Sequence, residues 1–366
     1  MSIPSCTLVT ANFYIDEATR PFDDCYRNML KVLEIPCYMV IYLNEPLYIL
    51  VKRYRDDRGF GPLTHYVVCT MESMASYAYK DIVEANRAAY WPTADARAGV
   101  GSHLITCNKF SFVLQAMENN VFGTQKFAWL DANVGRDGRK ISRDGFSSED
   151  FLRMLCKCMD DQDDKMRLQI MGVCNKKYKE DALRREYYER YRWLVCGCFF
   201  VLGQGAKDIL QALWAEFIKD TTAGYGHGEE MLYLRVLDDY YDRILKGYGD
   251  YRDIVHNFVT CRGSLNYIYD HIISRYRDHG YHKECYDCCM WVLRSLDNYA
   301  LVDYGYYCKI LFQLYVSSYY HKHEETKMWA ETFARYVKQN PMFRGEYEKN
   351  KDFIDSQLSF VGVRVE

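Results

Sequence analysis

The stretch Phe127-Ala128-Trp129-Leu130-Asp131-Ala132-Asn133-Val134-Gly135-Arg136 decides how the chain folds. Four apolar residues run directly into an acid, a spacer, an amide and a glycine. A short apolar run bounded by turn residues predicts a buried strand. Its polar end then emerges where a parallel strand stops, and in open α/β sheets that carboxyl edge is where ligands bind. Asp131 and Asn133 are two residues apart, so side chains leaving a strand on one face point at the same place. Two oxygen donors there suit a hard divalent cation, Mg or Mn, that also grips a diphosphate. The same residues are common turn formers, and Gly135-Arg136-Asp137-Gly138-Arg139 fits a turn.

Outward from this stretch, the first 70 residues read β-α-β-α-β. Residues 6–13 and 37–43 are β-branched or aromatic runs that predict strands, and 64–69 predicts a third. Residues 22–33 carry apolar residues at helical spacing and stop before Pro36. Such alternation argues a parallel sheet covered by helices. Neither Gly-x-Gly-x-x-Gly nor a Walker-type loop is present, which disfavours the two nucleotide folds that carry them. Helices are predicted over 72–90 and 103–119, the second with Lys109 among apolar residues. A solvated surface is the default for lysine; facing the edge with Asp131, Lys109 would meet a phosphate. Past residue 140 the sequence predicts a strand at 168–174, a charged helix over 176–190 and a helix over 205–219.

Three further clusters carry chemistry. Arg192-Trp193-Leu194-Val195-Cys196-Gly197-Cys198-Phe199-Phe200-Val201-Leu202-Gly203 is a second apolar run, and glycine inside a strand marks close approach of a ligand or backbone. In Gly224-Tyr225-Gly226-His227-Gly228-Glu229-Glu230-Met231, glycines surround a histidine and a carboxylate pair opens a helix. Acids belong in a first helical turn; they also serve as a base held on a fixed helix start. Residues 247–258 form a polar-aromatic cluster.

Composition bounds the function. The chain has 366 residues and net charge −3, which gives no electrostatic case for nucleic acid. Tyrosine, at 34 residues, is in excess and suits half-buried surfaces and sugar-stacking clefts as well as helix packing. No signal peptide and no membrane-spanning apolar run are read, giving the expectation of a cytoplasmic protein with reduced thiols despite 15 cysteines. High Tyr and Cys without an export signal fits a large DNA virus acting in the host cytoplasm. Cys285, Cys288 and Cys289 with His279 and His282 resemble a zinc site only loosely, lacking a second Cys-x-x-Cys pair.

Taken in order, the motifs are an opening Thr-Leu-Val-Thr-Ala strand, Ile41-Tyr42, Trp129-Leu130-Asp131-Ala132, Trp193 through Gly197-Cys198-Phe199-Phe200, Gly228-Glu229-Glu230-Met231-Leu232, and Tyr248-Gly249-Asp250-Tyr251 through Asn257-Phe258. Over about residues 5–260 this order resembles the bacterial HtrL/YibB-type glycosyltransferase group, which is GT-A-like. The resemblance implies a GT-A (Rossmann-like) fold, a mixed, mostly parallel sheet flanked by helices. It implies a nucleotide-sugar donor, UDP- or GDP-linked, and a glycan or glycoprotein acceptor. The metal motif of that group matches Asp131 and Asn133, an amide standing where the second acid belongs, with His256 as third ligand to Mn or Mg. Donor contacts fall to Thr10, Ala11 and Asn12, to Tyr42 or Asn44, and to Lys109 near the diphosphate together with Asp131. Glu229 or Glu230 becomes the acceptor-side acid or base, and Trp193, Gly197 and His227 line the acceptor side.

From about residue 262 the sequence turns all-helical, with helices expected at 264–278, 282–296, 302–319, 324–338 and 343–357. The organisation expected is a transferase domain over 1–261 and an all-α, tetratricopeptide-like extension over 262–366, serving homodimerisation, acceptor docking or plain support. The competing expectation is a catalytically degenerate transferase fold acting as a binding scaffold through that extension, favoured by Asn133 in place of an acid.

Overall fold

The computed structural model describes residues 5–15, 21–89, 99–137, 141, 145, 147–158, 163–226, 228–261, 264–296 and 304–365. The chain divides into two compact units, one over 1–170, 174–247 and 251–259, the other over 171–173, 248–250 and 260–366.

The first unit is built on seven strands: β1 (Cys6–Asn12), β2 (Tyr38–Leu43), β3 (Thr64–Val68), β4 (Lys126–Leu130), β5 (Met166–Ile170), β6 (Phe199–Gly203) and β7 (Ile244–Tyr248). They lie in the order β3-β2-β1-β4-β6-β5-β7. Strands β3, β2, β1 and β4 are mutually parallel, and β6 runs antiparallel between β4 and β5. The class is the expected one, a mixed, mostly parallel α/β sheet flanked by helices. Phe127, Ala128, Trp129 and Leu130 are all buried at its centre, as a two-sided strand between β1 and β6 demands.

The chain reaches β4 through the long helix Val100–Asn119. That helix is buried on most of its surface and packs against the helix Lys207–Thr222. Asn120 ends it in the left-handed region at φ 34°. Its amide both donates to the Thr124 carbonyl and accepts from the Thr124 N–H, each at 3.0 Å. An Asn is one of the few residues that tolerates this cap.

Three expectations change for identifiable reasons. The helix expected over 72–90 begins only at Lys80, after two 3-10 turns. Buried Ser76 diverts the backbone: its N–H donates to Asn108 Oδ1 at 3.0 Å and its hydroxyl to the Leu104 carbonyl at 2.9 Å. The charged helix expected over 176–190 survives only as Arg184–Tyr188, because Arg235 takes the Lys179 carbonyl through Nε at 3.1 Å and Nη2 at 2.5 Å. The run 192–203 is strand only from Phe199; upstream, Val195 makes a lone bridge with Ile170 and the next carbonyls serve the site described below.

The second unit is helical: Leu265–Asp278 with a π turn at Ile268–Ile273, then His282–Ser295, Tyr304–Tyr320 and Thr326–Gln339. The last helix expected is split at Asn350 into Pro341–Lys349 and Lys351–Ser359. Leu311, Leu314 and Tyr315 form the buried face of Tyr304–Tyr320. All fifteen cysteines are free thiols, and among the described residues no three His, Cys, Asp or Glu side chains could hold a metal.

Arg55 fixes the turn into β2. Its guanidinium is fully buried and donates to the carbonyls of Leu33 (3.0 Å), Ile35 (2.7 Å) and Cys37 (3.1 Å) and to Thr64 Oγ1 (2.9 Å). A lysine cannot reproduce that planar fork. Arg55→Lys is expected to lower stability by about 2–4 kcal/mol through unmatched buried carbonyls, read as a lower urea midpoint at unchanged slope.

Candidate functional site

The site forms at the carboxyl edge of β4. Trp129 and Asp131 leave the chain on one side, and the indole N–H donates to Asp131 Oδ1 at 2.6 Å. The Asp131 backbone N–H donates to the Cys198 carbonyl at 2.8 Å, which brings the residues before β6 alongside. Lys109 rises into this corner from the helix Val100–Asn119 with its side chain fully buried. Its ammonium donates to Glu229 Oε1 (2.5 Å), to the Gly197 carbonyl (2.8 Å) and to Asp131 Oδ1 (3.3 Å). All three N–H donors of the ammonium are therefore spent inside the protein. Burial alone would lower its pKa, but Asp131 and Glu229 hold it well above the usual lysine value. Lys109 thus orients two carboxylates; the expected contact with a diphosphate is not available to an ammonium so enclosed.

The glycines around it make room. A Cβ on Gly197 would stand 2.4 Å from Glu229 Oε1, and one on Gly228 would stand 2.1 Å from the Tyr191 hydroxyl and 2.8 Å from Glu230 Oε2. Both carboxylates occupy space that only glycine leaves open.

The two glutamates differ in kind. Glu229 is 3% exposed and tied to Lys109. Burial first, then the neighbouring Glu230 carboxylate, push it up to about 8 against the pull of Lys109. Glu230 is half-buried; the Tyr191 hydroxyl donates to its Oε2, and its other oxygen has no partner among the described residues. Burial and Glu230 together push the Tyr191 hydroxyl far up, so it stays a donor. Beside Tyr191, with ring centroids 5.0 Å apart, stands Trp193, which is 59% exposed. An exposed indole beside a half-buried carboxylate sets an apolar ring face next to an acceptor oxygen.

The segment carrying the glutamates is held at both ends. The Tyr187 hydroxyl donates to the Met231 carbonyl at 2.7 Å. Tyr188 stacks on Tyr225 at 5.3 Å and donates its hydroxyl to Asp220, whose other oxygen lies 2.7 Å from Arg184 Nη1 in a buried ion pair. The Asp220 carbonyl accepts from the Tyr225 N–H at 2.9 Å. Between these anchors Gly224 and Gly226 adopt φ of 94° and 140°. His227, expected on the acceptor side, lies outside the described residues.

Of the expected donor residues, Thr10, Ala11, Asn12 and Tyr42 are buried. Asn12 donates its amide to the Cys25 carbonyl at 3.0 Å. The Tyr42 hydroxyl donates to the Phe112 carbonyl at 3.1 Å, and its ring stacks on Phe112 at 4.3 Å. Asn44 brackets Tyr14, donating to its carbonyl at 2.7 Å and accepting from its N–H at 3.1 Å. These groups brace the ends of β1 and β2. Thr10 Oγ1 alone among them is buried without a partner.

The expected cation ligands fit a hard cation in chemistry. Among the described residues Asn133 Oδ1 is buried with no hydrogen-bond partner, and Asp131 is engaged through Oδ1 alone. His256 Nδ1 is buried without a hydrogen bond, 3.9 Å from Asp253 Oδ1. Two oxygens and an imidazole nitrogen left without protein donors are what such an ion would satisfy. Sequence reasoning missed Tyr191 and Tyr251, whose hydroxyl meets the Cys198 thiol. Tyr251 lies in the polar-aromatic cluster 247–258 without being singled out there; for Tyr191 the excess of tyrosine was the signal, and it does not say which tyrosine matters.

No protein-family model matches the chain, and no curated protein matches it in sequence. Among solved structures it is similar to mouse xyloside xylosyltransferase 1 in its apo form, at 11% identity and a TM-score of 0.33, over 65% of this chain and 83% of that one. So distant a likeness adds nothing to the case, which rests on the topology and the site.

The Glu229 shift has a measurable consequence. Below about 4.5 the proton is bound both folded and unfolded. Between about 4.5 and about 8 the folded protein keeps a proton that the unfolded chain has released, so stability falls as pH rises across that window. Thermal unfolding of the metal-free protein is expected to show this decline, and Glu229→Gln is expected to flatten it.

Proposed function

We propose that the chain is a glycosyltransferase that moves a sugar from a UDP- or GDP-linked donor to a hydroxyl acceptor on a glycan or protein. The observation that carries this reading is the pair Asp131 and Glu229 held by one buried ammonium, with Glu230 next along the chain gripped by Tyr191, at the carboxyl edge of the sheet near an exposed tryptophan. Ligands of open α/β sheets bind at that edge, and paired acids there suit transfer from a diphosphate.

In transfer, the bond between the sugar carbon and the diphosphate oxygen breaks while a bond to the acceptor oxygen forms. Asp131, Asn133 and His256 would hold a Mn or Mg ion, which when bound carries the charge that develops on the leaving diphosphate. Lys109 keeps Asp131 and Glu229 in place and offsets part of their charge. Glu230, gripped on one oxygen by Tyr191, accepts the acceptor hydroxyl's proton with the other. Trp193 packs against the acceptor ring. Enclosed by Lys109 and Gly197, Glu229 shapes the floor rather than meeting the acceptor.

This division of labour is testable by steady-state transfer from nucleotide sugars in Mn. Glu230→Gln is expected to lower kcat by about 10²–10⁴-fold, the range for loss of a positioned base, with donor affinity nearly unchanged. Tyr191→Phe is expected to lower it less. A Glu230→Gln enzyme with wild-type kcat would remove Glu230 from the chemistry.

A further inference from the structure

The helical unit contains a cavity of about 500 Å³, well inside the size range of small-molecule sites. Its walls come from five helices and are mostly aromatic: Tyr269, Phe312, Phe333, Phe343 and Phe353. Phe312 sits among them, with ring centroids 5.1 Å from Phe333 and 6.2 Å from Phe353. Phe353 is 58% exposed, an uncommon position for a phenylalanine whose ring also lines a hollow.

Of the described lining residues only Lys309 carries a charge. Its ammonium lies 5.0 Å from the centre of the Tyr306 ring and 5.5 Å from that of Tyr269. No described carboxylate lies within ion-pair distance of it; Asp270, on the neighbouring helix, accepts the Tyr306 hydroxyl at 3.1 Å. The Tyr347 hydroxyl is likewise engaged, donating to Asp355 at 2.6 Å. The cavity therefore offers an apolar interior and one cation at its rim without an acidic partner. A neutral apolar molecule would leave that cation unmatched, and a small hydrophilic anion would leave the aromatic walls uncovered.

We propose that this cavity binds an amphipathic carboxylate, with its hydrocarbon chain among Phe312, Phe333, Phe343 and Phe353 and its head group against Lys309. The chain removes aromatic surface from water, while the head group stays at the solvent edge, where its own desolvation is small. This inference does not depend on the glycosyltransferase reading.

The test is calorimetric titration of the full chain with dodecanoate, kept below its micellar concentration, with acetate as the short control. Saturable binding of one dodecanoate per chain, with acetate silent, is expected. Lys309→Glu is expected to weaken it about five- to tenfold, as loss and reversal of a rim ion pair would. Phe353→Asp, at an exposed position, is expected to weaken it further without unfolding the chain. Uptake that does not saturate, or an affinity indifferent to both substitutions, overturns the proposal.

Discussion

An ammonium carried out of water has to meet counter-charge and acceptors on every N–H, or the fold around it gives way. Lys109 meets that constraint with Asp131, the Gly197 carbonyl and Glu229, which lie 22, 88 and 120 positions away in the sequence. One buried group thus ties together the end of β4, the approach to β6 and the glycine-rich segment before the helix Tyr233–Asp239. Much of the neighbouring geometry follows from it. Gly197 must lack a side chain because Glu229 fills that space. The run before β6 pairs with its neighbours only piecemeal, and the Gly197 carbonyl there is taken by Lys109.

The same constraint separates the carboxylates by role. Asp131 and Glu229 share one cation and Glu230 lies close enough to Glu229 to repel it, so the corner holds more negative than positive charge when all are ionised. Glu229 absorbs the strain of that imbalance through burial and the nearness of Glu230, holding its proton to about 8. Among the described residues, Asp131 and Glu230 each engage one oxygen and leave the other without a partner. Those oxygens, with the unpartnered amide of Asn133, are the groups a cation and a substrate would engage. A divalent ion there would lessen the excess charge and ease the proton from Glu229, linking metal binding to pH.

Much of this was legible in the sequence because it is local. The run Phe127–Leu130 reads as a buried strand from its apolar residues alone, and it is one. The glycine at 197 announces close approach, and close approach is what it permits. What was not legible depends on contacts between distant residues. Lys109 in an apolar helix gives no local sign of whether it faces a ligand or three internal acceptors. Tyr42 and Asn44 sit at a strand end where ligands bind, yet Phe112 and Tyr14 claim them. Ser76 broke a helix through Asn108 and Leu104, partners about thirty residues on, which no window of helical periodicity contains. Tyr191 was invisible because 34 tyrosines share one composition signal.

The most direct test of the account is calorimetric titration of UDP- and GDP-sugars into the chain, with and without Mn, for wild type and Asp131→Asn. The substitution keeps an oxygen for Trp129 and Lys109 but removes the charge. The account predicts Mn-dependent binding of one donor class by the wild type, lost in Asp131→Asn while unfolding remains cooperative. Donor binding unaffected by the substitution, or no donor binding by well-folded wild type in Mn, would contradict it.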